Sequence, residues 1–182
     1  MAYTGKQWLD IGPCAIVWNS VEFNSANADN PDGGTFGGVE VGITADEKEA
    51  LRDAIGSNPY DIVVIGMKTP VKVPLTGMSL KQLVNVIPGA ALSAGATDKS
   101  LTINTAAGTS LRGAAAQLTI KPIINGAITT DESKWIIAAL AAPSPQINIK
   151  FDYQTQKIYE VMFHVFSNLT TGAMMVMGKN VA

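Results

Sequence analysis

The 182-residue chain is 47% hydrophobic and only 15% charged, with a formal net charge of −2 at pH 7. It is long enough for one domain with a real core and lacks the basic footprint needed to grip a nucleic-acid backbone. One cysteine and one histidine exclude an intrachain disulfide, a cysteine-based zinc site and any site built on several histidines.

Charge content well below the usual one-quarter favours burial against other copies of the chain. No apolar run approaches the ~20 residues of a spanning helix, so no membrane insertion is expected. Residues 1–9 lack the charged-then-apolar order and small-residue cleavage site of a signal peptide. The expectation is a mature protein made in the cytoplasm, with a flexible arm over about residues 1–11.

Residues 14–23, rich in β-branched and aromatic side chains, predict a first strand. Cys14 within it reads as a small buried hydrophobe, with a bridge between subunits as the alternative. Residues 24–38 hold four glycines, three asparagines and one proline, and predict a long loop. From 44 to 47 the spacing is that of a helical capping box. The residues that follow are nevertheless assigned as extended over 48–54. Ile62–Ile65 predicts another strand. Pro70 and Pro74 flank Val-Lys-Val, and because proline has no N–H for a sheet ladder this strand belongs at or near an edge. Leu80, Leu83, Val84 and Ile87 recur at helical spacing and predict one short amphipathic helix that packs on a sheet.

Residues 90–116 carry nine alanines around an alternating strand at 100–105, for which 115–124 is the expected hairpin partner. Residues 129–132 match a second capping box, leaving 135–140 open as short helix or buried strand. Residues 147–153 and 159–166 alternate strictly, with a turn at 154–157 between them, and 173–178 adds a last antiparallel strand. His164 falls in phase with Glu160 and Met162, opposite Tyr159, Val161, Phe163 and Val165, so it reads as a surface or interface residue.

No catalytic constellation emerges. The run 33–38 is glycine-rich but lacks the Gly-Lys-Ser/Thr ending of a phosphate loop, and the acids at 29–53 lack calcium-loop spacing. That segment holds seven acids against two bases, a local charge of −5 that leaves +3 on the rest of the chain. A solvated acidic face is the plain reading. Trp8, Trp18 and Trp135 lie in or beside apolar runs and read as core or interface.

The order of segments resembles the tail-tube (major tail) proteins of tailed bacteriophages. The residues that carry the likeness are the extended run into Asp53, Gly56 and Pro59, the strand 62–66, the strand 70–75 with its helix to Pro88-Gly89, and the late 159–166, 168–172 and methionine-rich segments. The resemblance implies a mainly β protein, an antiparallel β-sandwich or barrel with one short flanking α-helix, forming a single domain over 1–182. It implies no enzymatic activity and no cofactor or metal.

By the same likeness, hexameric rings stack into a virion tail tube, assembled in the host cytoplasm, through which genomic DNA passes without specific binding. The chain's partners are itself and, by implication, sheath, terminator, baseplate and tape-measure proteins. An acidic bore repels the duplex, which makes Glu40, Asp46, Glu47 and Glu49 the lumen-lining candidates. Asn24, Asn27, Asp29, Asn30, Asp32, Gly33 and Gly34 are the inter-ring contact candidates. The alternative readings are a carbohydrate- or receptor-binding β-sandwich, kept open by the tryptophans and acidic bias, and the tube of a phage-derived secretion apparatus.

Overall fold

The computed structural model describes residues 13–23, 34–35, 37–51, 59–93, 100–104, 108, 110–150 and 158–178. Among them the protein is mainly β with one α-helix, and every strand pairing is antiparallel. No helix among these residues is long and apolar enough to cross a membrane.

The expected first strand is a tight hairpin instead, β1 (Cys14–Trp18) and β2 (Val21–Glu22). Asn19 and Ser20 turn the chain with φ of 50° and 64°, the left-handed geometry whose twist matches the flanking strands. Residues 24–33 lie outside the described residues, but the segment expected as loop up to 38 already contains β3 (Gly34–Thr35), which pairs with Leu75 and Thr76 of a later strand. After β4 (Glu40–Val41), the capping-box segment is extended, forming β5 (Thr44–Leu51) against β6 (Pro59–Lys68). The positions Asp53 and Gly56 lie outside the described residues.

β7 (Pro70–Thr76) pairs over seven successive residues with β13 (Ile158–Phe166). Its opposite side meets only the two-residue strands β3 and β4, so it lies next to an edge as its prolines require. The Pro70 carbonyl accepts from Gly42 N at 2.9 Å on the β4 side. Alternate residues of a strand share a side, so Pro70 and Pro74 both direct their missing donors toward that edge and away from β13. The helix α1 (Leu80–Val86) follows, with Ser79 and Gln82 exchanging the two hydrogen bonds of a capping box. Its inward face is Leu83, Val86 and Ile87, with Val84 only half-buried, one step round from the expected stripe.

The largest correction concerns the strand at 101–103. β9 (Leu101–Ile103) pairs with β8 (Ala90–Leu92), not with β10 (Ala116–Ile124). Both edges of β10 are taken, one by β1 and the other by β12 (Ile136–Lys150), and its end turns back at Asn125-Gly126 into β11 (Ala127–Ile128). The second capping-box match makes one 3-10 turn, Glu132–Lys134, with Asp131 Oδ1 accepting from Ser133 N at 3.1 Å, and the chain then runs as strand. β14 (Met175–Met177) closes the set by pairing with Ile136–Ala138 of β12. The turn expected at 154–157 lies outside the described residues.

The core lies on the inward side of β1, β7, β10, β12 and β13 under α1. Trp18, Leu118 and Ala138 are opposite one another across β1, β10 and β12, and the small alanine leaves room for the indole. The Trp18 ring packs against Phe163 at 5.8 Å, while its Nε1 donates to the Ala141 carbonyl at 2.8 Å. That bond satisfies a buried polar tip that otherwise costs about 1–3 kcal/mol.

Cys14 is buried in this core, as expected. Burial pushes its thiol above the ordinary value, so the folded state holds the proton more tightly than the unfolded chain does. The resulting stability is full below the unfolded thiol's value of about 8.5 and is lost as pH rises past it. In urea titrations, stability should therefore fall more steeply above about pH 8.5 in the native chain than in Cys14→Ala, and a maleimide should label Cys14 only on unfolding.

Candidate assembly interface

Among the described residues, the β5–β6 ribbon holds the densest run of exposed large apolar side chains. Among the described residues these two strands pair only with each other, and the side chains of 44–50 and 60–65 are all exposed. Tyr60, Ile62, Val63, Val64, Ile65 and Met67 are each between 49% and 66% exposed. Two strands alone are marginal in water, and this much apolar surface in one ribbon makes it the candidate contact surface.

The register sorts the ribbon into two unlike faces. Pairing is regular from Thr44↔Lys68 to Asp46↔Gly66 and resumes at Glu47↔Val64, so Ile65 has no opposite residue. This bulge shifts the alternation of β6 by one place. One face then carries Thr44, Asp46, Lys48, Asp61 and Lys68 with Val63, and Asp46 binds Lys68 at 2.8 Å. The other carries Ile62, Val64 and Met67 with Ala45, Glu47 and Glu49. Without the bulge, Ile62 and Val64 would share a face with Lys68.

The candidate lumen acids are dispersed by the alternation of β5 and by the separate position of β4. Asp46 lies on the polar face, and Glu47 and Glu49 lie beside Val64 and Ile62 on the apolar one. Glu40 is exposed on β4 opposite Lys72, whose Nζ lies 3.7 Å from Glu160. They do not form one acidic surface. Of the inter-ring candidates only Gly34, in β3, falls among the described residues. Asn24, Asn27, Asp29, Asn30, Asp32 and Gly33 lie outside them, as does the 1–11 arm.

At the root of the ribbon two adjoining grooves of about 690 and 720 Å³ share Met67, Thr69, Arg112, Val165 and Phe166. One is extended by Ile43, Met174, Met175 and Met177, so its lining is largely flexible and apolar. Arg112 is held in place by an Nη2 bond to the Ser167 carbonyl at 3.0 Å and by the Phe166 ring, 6.0 Å from its guanidinium. Beyond the groove, Asn168 Oδ1 accepts from Thr170 N at 2.8 Å, shaping a turn that leaves Leu169 85% exposed.

The sequence marked the acids but not these apolar and basic partners. One signal was present: an apolar run, 62–65, beside a strand as charged as 46–49 has no partner with which to bury itself. His164 is exposed with Met162 on the outer side of β13, while Tyr159, Val161, Phe163 and Val165 are buried. Trp135 is half-buried, with Lys121 Nζ 4.3 Å from its ring centre.

A scan against protein-family models and a search of curated proteins returned no match. What these observations define is a mainly β, antiparallel protein with an uncovered amphipathic ribbon.

If the ribbon face is solvated in the single chain, Ile62→Thr with Val64→Thr should change the unfolding free energy by less than about 0.5 kcal/mol while lowering apolar-dye binding. Urea unfolding of dilute protein checks this. A loss of about 2 kcal/mol or more would show that the face is packed within its own chain.

Proposed function

We propose that this chain is a structural subunit that works by self-assembly, and specifically a phage tail-tube subunit. In this reading hexameric rings of a β-sandwich or barrel stack into the conduit for genome ejection. The observation that carries the proposal is the β5–β6 ribbon, whose apolar side chains have no cover in one chain and are stable only against another surface. A sheet curling toward a barrel is supported by the close approach of β1 and β3, which lie near opposite ends of the strand order.

The low charge content supports a surface mostly covered by identical copies, and the net charge of −2 suits a conduit that must not retain DNA. Of the two ribbon faces, the polar one with Asp46 suits a solvated bore, because the apolar one needs cover. The sugar-binding alternative gains nothing here. Trp18 is buried and Trp135 half-buried, and Tyr60 is the only largely exposed aromatic among the described residues.

Purified protein should form rings or tubes in negative-stain electron microscopy, each subunit burying on the order of 2,000–5,000 Å². Deleting residues 28–34 should leave rings and abolish long tubes. Light scattering that shows a stable monomer at high concentration in every salt condition would reject the proposal.

A further inference from the structure

The ribbon and the grooves at its root are both largely apolar and carry opposite charges, but Ile62 is out of reach of the grooves within one chain. Ile62 and Val64 form an apolar ridge, and Met67, on the same face, already lines both grooves. At ~3.3 Å per residue the extended strand holds Ile62 roughly 16 Å from Met67. The ridge therefore cannot fold back into grooves lined by its own root without breaking β6.

The charges match in the same sense. Glu47 and Glu49 stand opposite Val64 and Ile62 and travel with the ridge. Arg112 lines both grooves with its guanidinium already fixed at one corner by Ser167. A fixed guanidinium in an apolar groove suits a carboxylate, which it binds through paired N–H donors.

We infer that the apolar ridge of one copy, Ile62 and Val64, docks in the methionine-lined groove of a second copy, with Glu47 or Glu49 reaching Arg112. Ridge and groove are different patches, so the contact is head-to-tail. Such a contact does not close as a two-fold dimer, and it propagates into a ring or a filament. It rests on the self-assembly reading above and names the surfaces that reading requires. The methionines tolerate a ridge of mixed Ile and Val shape because their side chains repack at little cost.

The test mixes two full-length variants, Val64→Cys and Met177→Cys, and treats them with a short bis-maleimide, the native Cys14 being buried. A covalent heterodimer that forms in the mixture and in neither variant alone is the expected result. Linkage of Val64→Cys to itself would show a two-fold contact and overturn the inference. Protection of Met177→Cys in dilute monomer would overturn it too, by showing the groove filled from within the chain.

A second measurement uses charge reversal. Arg112→Glu, or Glu47→Arg with Glu49→Arg, should raise the concentration needed for assembly by about tenfold or more, and the combined variant should recover most of that loss. Particles that assemble normally with every reversal, and without the cross-link, would sink the ridge-in-groove contact yet leave the proposed function standing. Absence of any assembly from the native chain would remove both.

Discussion

The pairing of β7 with β13 is the constraint from which the remaining architecture follows. Val71, Val73 and Leu75 stand opposite Phe163, Val161 and Tyr159, all buried, while Lys72, Pro70 and Pro74 face outward with Met162, His164 and Glu160. A slip of one residue would drive Lys72 or Glu160 into the core, so burial fixes the register. β13 in turn aligns β12, β12 aligns β10, and β10 aligns β1. Since β6 enters β7 through the single residue Thr69, the same register fixes where the ribbon leaves the sheet.

The ribbon combines two opposed demands. Its β6 strand offers apolar side chains for association, and its β5 strand is charged at Asp46, Glu47, Lys48 and Glu49. Charge along an open edge discourages indiscriminate strand pairing. The bulge at Ile65 makes that division workable, because it gathers Ile62, Val64 and Met67 on one side and places the Asp46–Lys68 ion pair on the other. In the proposed contact this division would favour one orientation over others, since a wrong partner would leave the glutamates against apolar surface.

Strand character, the single helix and the inward phase of 159–166 were legible in the sequence because they depend on local alternation and spacing, which the chain carries in every window. The prolines of β7 were equally informative, since a missing N–H has the same consequence in any fold. Asn125-Gly126 was a hairpin signal in plain view, and it separates β10 from β11.

The antiparallel pairing of 147–150 with 158–161 was legible, because the two strands are neighbours in sequence, but the pairings of more distant strands were not, because they are decided by competition across the whole chain. The strand at 101–103 was adjacent in sequence to β10, but β1 and β12 occupy both of that strand's edges, leaving β8 as its partner. Local capping-box spacing at 44–47 likewise yielded to the cross-strand partners supplied by β6. The sequence by itself determined that this is a charge-poor, mainly β chain with one short helix and an acidic segment. Only the tertiary structure decided that residues 44–51 of that segment are half of a ribbon, and that the unmatched Ile65 brings Ile62 and Val64 onto the face of Met67, because register is a relation between strands that neither strand contains alone.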